Sequence, residues 1–171
     1  MSYIHSFAPL ARDDARQLIL GSMPGKASLA ANQYYAHPRN AFWQLMEAVL
    51  AVPAALPYEE RCEALLLQQV AVWDVLHTCT RTSSLDADID ATSIVPNDFA
   101  AFFTAHQNIT TILFNGAAAE RFYHRHVLPT LPADLKHHRL LRLPSTSPAN
   151  AGIAYAGKVR QWQLLNSGNT G

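Results

Sequence analysis

The chain has 171 residues, 49% of them hydrophobic and 15% charged, and its 13 basic and 13 acidic side chains cancel to zero net charge with histidines neutral. That fits a single domain spanning 1–171 with a sizeable core. It excludes a chain-wide basic signal for nucleic acid, and no apolar run is long enough to span a bilayer.

In chain order, Gln17 to Leu20 reads as a short buried strand ending at Gly21. The turn Gly21-Ser22-Met23-Pro24-Gly25 follows, then a loop rich in rings and amides from Gln33 to Asn40. Phe42, Leu45, Met46, Val49 and Leu50 have helical spacing, and Pro53 and Pro57 close that helix. Glu59 to Gln69 predicts a second helix and Val70 to Leu76 a second strand. A polar loop is expected from His77 to about Ile94. Pro96 suits the first turn of a helix carrying Phe99, Phe102 and Phe103. Ile109 to Phe114 is a third strand, which Asn115-Gly116 turns into a helix over 117–127. Leu140 to Leu143 is a fourth strand, stopped by Pro144, and a loop through Asn150 leads to a last helix around Lys158 to Leu165.

Strands alternating with helices imply a parallel sheet covered on both faces. Ligands of such sheets bind at the carboxyl ends of the strands. Gly21-Ser22, Asp74, Asn115 and Ser145-Thr146-Ser147 all fall there. Backbone N–H groups, flat rings and a neutral amide around one cleft suit a planar heterocycle better than a metal or a phosphate chain. Pro24 lacks an N–H and no Gly-Lys-Ser/Thr follows, so a nucleotide P-loop is not expected. The two cysteines, Cys62 and Cys79, are too few for a disulfide framework and read as buried free thiols. The eight histidines have no metalloenzyme spacing, so no metal is expected. No basic-then-apolar leader precedes the first strand, and a cytoplasmic address is expected.

Each polar residue also has a purely structural reading. Asn40 suits the cap of a helix starting at Ala41. Asp74 suits a strand-end cap or an ion pair with Arg81, Asn115 a turn, and Ser145 to Ser147 an ordinary polar loop. Arg121, Arg125, Lys136, His137, His138, Arg139 and Arg142 crowd the C-terminal third, where a solvated face is the plain interpretation.

The stretches Gly21 to Gly25, Gln33 to Trp43, Val72 to Cys79, Phe114 to Gly116 and Leu143 to Asn150 together resemble the hypoxanthine-DNA glycosylase branch of the uracil-DNA glycosylase superfamily. The likeness runs from about Leu18 to Asn150. It implies a three-layer α/β/α sandwich with a central four-stranded parallel sheet. It also implies a monofunctional, cofactor-free and monomeric enzyme acting on double- or single-stranded DNA that contains deaminated bases. Met23 stands where mismatch-specific uracil glycosylases carry a catalytic Asn, and Leu143 where classical uracil glycosylases carry a His. The resemblance moves the catalytic amide to Asn40. It makes Tyr35 the stacking ring, where core packing is the plain reading and Tyr34 or Phe42 could take its place. The N–H groups of Gly21, Ser22 and Met23 are free to meet the departing base, because glycine lets the chain approach closely. Asp74 reads the base edge, with Asn115 able to add an amide. Ser145, Thr146 and Ser147 compress the DNA backbone, and Pro148, Ala149 and Asn150 lie nearest the duplex as a wedge. Ser83 departs from the family pattern, in which a Gly precedes Ser84-Leu85-Asp86. No motif places Lys26 or Lys158 for a lyase step. The competing readings are a uracil or G/U mismatch glycosylase, a non-catalytic binder of damaged DNA and a nucleoside hydrolase.

Overall fold

The structure is a computed structural model that describes residues 2–167. Its centre is a four-stranded parallel sheet of β2 (Gln17–Gly21), β3 (Val70–Asp74), β6 (Thr111–Asn115) and β7 (Arg139–Leu143), in the order β3-β2-β6-β7. Side chains alternate across it. Leu18, Leu20, Ala71, Trp73, Ile112 and Phe114 point into a core shared with α4 (Phe99–Ala105) and α5 (Ala117–Phe122). Ile19, Val70, Val72 and Leu113 point the other way. They meet α2 (Phe42–Leu50), α3 (Tyr58–Leu67) and α6 (Tyr155–Trp162). Both faces are therefore apolar, which is why these strands read as continuous hydrophobic runs. The expected α/β/α sandwich is what the chain forms. Among the described residues no helix is long and apolar enough to cross a membrane.

Several elements differ from the sequence expectation. The stretch expected to be a polar loop from His77 begins with a strand, β4 (Leu76–Arg81). Together with β1 (Ser2–His5) and β5 (Val95–Pro96), it makes a small antiparallel sheet in the order β1-β4-β5. Four of the five residues of β4 after Leu76 are polar, and Thr78 and Arg81 are nonetheless buried. Composition alone hides such a strand. Pro96 pairs with Leu76 instead of opening α4. That helix starts at Phe99, where the Asp98 carboxylate accepts from the Ala101 N–H at 3.1 Å. The helix expected over 117–127 is α-helical only to Phe122 and continues as a π-helical turn, Tyr123–Val127. The last helix starts earlier, at Tyr155, and a short α7 (Leu164–Ser167) follows it. A short α1 (Lys26–Ala31), not expected from sequence, lies between the Gly21 to Gly25 turn and the loop from Gln33. Cys62 and Cys79 are buried free thiols.

Candidate active site

Parallel register sets Gly21 beside Asp74 and Asn115 beside Leu143. The four strand ends therefore open on one rim, over a cavity of about 280 Å³. Gly21, Ser22, Met23, Tyr35, Asn40, Asp74, Asn115 and the loop Ser145 to Ala149 all line it. Asn150 lies in an adjoining groove. The residues named from sequence are thus brought together.

Gly21 is required by proximity. A Cβ there would sit 2.5 Å from Asp74 Oδ1 and 3.0 Å from the Tyr35 hydroxyl. Without it, the Asp74 carboxylate can lie across the end of β2. Asp74 is 4% exposed, and its Oδ2 is buried with no hydrogen-bond partner. Burial pushes its pKa up to about 7; nearby Asp86 adds to the rise and Arg81 opposes it. The ion pair considered for Arg81 does not form. Its Nη2 donates to the Pro24 carbonyl at 2.6 Å, while Nε and Nη1 are buried without partners. A cation thus lies beneath the cavity and acts on Asp74 through space.

Tyr35 is held in a strained backbone conformation, φ 56°. The residue before it is held at three points. Tyr34 receives a hydrogen bond on its carbonyl from Trp43 Nε1, its N–H donates to the Tyr58 hydroxyl, and its own hydroxyl donates to the Ala8 carbonyl. Tyr35 itself is left-handed, a region that bulky side chains avoid. The Tyr35 ring stacks on Phe42 with centroids 4.0 Å apart and planes at 24°. Phe42 is fully buried behind it, so Tyr35 is the ring of this stack that lines the cavity. Burial and Asp74 both raise the Tyr35 hydroxyl pKa, so the phenol stays neutral.

Asn40 precedes α2, and the helix starts one residue later than a cap at Asn40 would require. Its Oδ1 accepts from the Phe42 N–H at 2.9 Å. Only the oxygen of an amide can accept that proton, so the contact fixes which end of the side chain is which. The backbone N–H of Asn40 donates to the His37 carbonyl at 2.9 Å, closing the preceding turn. One lone pair of Oδ1 remains.

Asn115 does something the sequence did not suggest. Its Oδ1 accepts from the Thr146 N–H at 2.9 Å and its Nδ2 donates to the Thr146 hydroxyl at 3.0 Å. The Thr146 carbonyl in turn accepts from the Ala41 N–H at 3.0 Å. Strand β6, the loop after β7 and the start of α2 are locked together through one threonine. Trp162 Nε1 bonds the Pro144 carbonyl at 2.9 Å, and Lys158 Nζ bonds the Asn150 carbonyl at 3.0 Å. Both ends of the loop are pinned from α6.

Among the lining residues to which the sequence assigned no role are Phe7, His37 and Asp86. Asp86 had a signal, the Ser84-Leu85-Asp86 run, and its Oδ1 accepts from the Ser22 hydroxyl at 2.6 Å. His37 Nδ1 accepts from the Arg39 N–H at 3.1 Å, so its Nε2 carries the proton of the neutral ring. Phe7 packs edge-on against Tyr34 with centroids 5.1 Å apart, and no sequence motif marks it.

A site of neutral amide, ring, carboxyl and glycine loop on this sheet can be compared with known proteins. The family model described as the uracil DNA glycosylase superfamily matches residues 8–166. The chain belongs to the uracil DNA glycosylase superfamily. Two curated relatives, both named hypoxanthine DNA glycosylase, come from Methanosarcina. The protein of M. barkeri is 34% identical over 111 residues, covering 64% of this chain and 69% of the relative. That of M. acetivorans is 30% identical over 160 residues, covering 93% and 95%. An NMR structure of a candidate uracil DNA glycosylase from M. acetivorans superposes with a TM-score of 0.77 at 27% identity, covering 96% of this chain and 99% of that one. In this superfamily member, Met23 and Leu143 are both buried apolar side chains. The rim positions of the turn and of β7 thus carry neither an amide nor an imidazole, and Asn40 is the carboxamide that stands before α2.

Proposed function

We propose that this protein is a monofunctional DNA glycosylase that excises hypoxanthine from deoxyinosine in deaminated DNA. Hydrolysis of that N-glycosidic bond builds positive charge on the sugar and negative charge on the leaving purine. The free lone pair of Asn40 Oδ1 holds the attacking water, and orientation replaces a charged base. Water adds to the anomeric carbon as the C–N bond breaks. Hypoxanthine and an abasic deoxyribose are the products. The base is first drawn out of the stack and lies against Tyr35. Backbone N–H groups of Gly21, Ser22 and Met23 meet the developing anion. Ionised Asp74 accepts from N1–H of hypoxanthine and repels the bare N1 of adenine.

The observation that carries this reading is the locked orientation of the Asn40 amide on a cavity shared with Tyr35 and Asp74. Thr146, Ser145, Ser147 and the Pro148-Ala149-Asn150 tip would follow the DNA strand, and Asn115 serves them as a positioning residue. The reading expects no cofactor, a monomer and a cytoplasmic address.

Uracil is the second substrate, because Asp74 would meet a similar N–H flanked by carbonyls on its edge. One assay separates the cases: duplexes with a single deoxyinosine or deoxyuridine, incubated with a tenfold excess of DNA over enzyme. Abasic product from the inosine strand beyond the enzyme concentration is expected, with slower release of uracil. Faster uracil release would move the assignment to a uracil glycosylase, and product that stops below enzyme concentration on both would leave only a binder.

A further inference from the structure

The turn after β2 has most of its carbonyls committed. That of Gly21 accepts from the Val75 N–H at 2.8 Å, that of Ser22 from the Leu76 N–H at 3.1 Å, and that of Pro24 holds the Arg81 guanidinium at 2.6 Å. Ser22 brings the one side-chain hydroxyl of the turn Gly21 to Gly25, and it lines the cavity. That hydroxyl donates to Asp86 Oδ1 at 2.6 Å, across 64 residues of sequence. Asp86 lines the cavity as well. Its loop is fixed from both sides: the Asp86 carbonyl accepts from the Ile89 N–H at 3.2 Å, and Ser84 Oγ accepts from the Lys26 N–H at 2.9 Å. A carboxyl behind a hydroxyl that faces the leaving base is a route for a proton.

The hydrolysis has use for one. A purine that leaves as an anion lies against ionised Asp74, and like charges in a desolvated site oppose each other. The charged groups that act on Asp86 and Asp74 are each other, Arg81 of β4 and, for Asp86, Arg121 of α5. Burial raises the pKa of Asp86, while the Ser22 hydrogen bond, Arg81 and Arg121 oppose the rise. Two carboxyls so coupled give up their protons as a pair. Once N1–H of the base fixes Asp74 as the anion, that charge favours keeping the remaining proton on Asp86.

We propose that Asp86, acting through the Ser22 hydroxyl, is the proton source for the leaving purine, and that the proton goes to N7, the most basic ring nitrogen of hypoxanthine in a nucleoside. The proposal rests on the glycosylase reading. The Asp86 O–H gives its proton to Ser22 Oγ as the Ser22 hydroxyl proton passes to N7. The bond from the anomeric carbon to N9 breaks with its electron pair left on the purine, and hypoxanthine departs neutral. The proton shed by the added water returns to the Asp86 carboxylate through solvent. Ser22 touches the base, and Asp86 acts through it.

The test is single-turnover release of hypoxanthine from an inosine duplex across pH by wild type, Asp86→Asn, Ser22→Ala, Ser22→Thr and Ser83→Ala. Ser83 braces the same loop by donating to Asp88 Oδ2 at 2.6 Å, so its loss tests the order of the loop alone. The wild-type rate should fall on the alkaline side as the acid loses its proton. Asp86→Asn and Ser22→Ala should be about a hundredfold slower at the wild-type optimum and should keep only the alkaline limb of the hypoxanthine N1–H itself. Ser22→Thr retains the hydroxyl and should recover most of the rate, and Ser83→Ala should hold both rate and limb. Where Asp86→Asn does not fold, as read by circular dichroism, Ser22→Ala decides alone. A wild-type alkaline limb that persists in the variants, or an equal loss in Ser83→Ala, overturns the relay and leaves the glycosylase standing. No release by wild type at any pH overturns the glycosylase reading and the relay with it.

Discussion

On the proposed reading, the charge of Asp74 decides which base edge it accepts. Its pKa stands at about 7, far above that of an ordinary aspartate, because burial disfavours the charged form. Free enzyme below that pH holds a neutral acid, which accepts from N1–H only weakly and lacks the charge-assisted bond of the anion. The kcat/KM for inosine duplex should therefore fall on the acid side with an apparent pKa near 7. The bound base favours the anion, so the limb in kcat should lie lower. Asp74→Asn should lose that limb together with most activity. The same shift bears on stability. The folded state binds a proton that the unfolded chain has lost between the ordinary aspartate value and about 7, so stability from this group falls as pH rises through that window. Asp74→Asn should accordingly melt a few degrees higher than wild type at pH 8; equal or lower melting would contradict the account. Gly21→Ala acts on the same carboxyl from the other side. Its methyl would meet Asp74 Oδ1 and the Tyr35 hydroxyl, and a loss of kcat/KM of roughly tenfold or more is expected with the fold retained, checked by circular dichroism.

At the scale of elements, the site depends on ties between loops. Asn115 and Thr146 join β6, the last loop and the start of α2 through hydrogen bonds that include Ala41 N–H to the Thr146 carbonyl. Asn115→Ala leaves the Thr146 N–H without its partner inside the protein, a change that costs about 1–3 kcal/mol. It should raise KM for lesion DNA and lower Tm, while free loop mobility measured by hydrogen exchange increases at 145–150. Unaltered exchange there would refute the tie. These contacts were not legible in the sequence. Asn115 before Gly116 reads as a turn, and nothing local announces a partner 31 residues away. Tyr35 was legible as a ring but not as a strained one, since neither its positive φ nor the three long-range hydrogen bonds of its neighbour Tyr34 leave a local mark. The helix whose first turn Pro96 was expected to occupy starts later, at Phe99, with Asp98 as its cap and the proline in β5.

For the molecule as a whole, the parallel sheet was readable because β2, β3 and β6 are largely apolar on both faces and each strand end carries or meets a polar motif. Topology then forces those motifs to one rim. The antiparallel sheet was not readable, because β4 carries His77, Thr78, Thr80 and Arg81, and Arg81 is buried by packing that composition does not encode. That sheet matters to function. It delivers the guanidinium beneath Asp74 and leads into the loop that bears Asp86. Net charge is zero, so affinity for DNA rests on local groups and on the lesion itself.

The measurement that bears most directly on all this is single-turnover release of hypoxanthine from an inosine duplex by Asn40→Ala, with the dissociation constant for the same duplex measured alongside. The account predicts a rate lower by roughly a hundredfold or more, with binding within a few-fold of wild type. A rate near wild type would mean that some other group presents the water, and the assignment of Asn40 would be wrong.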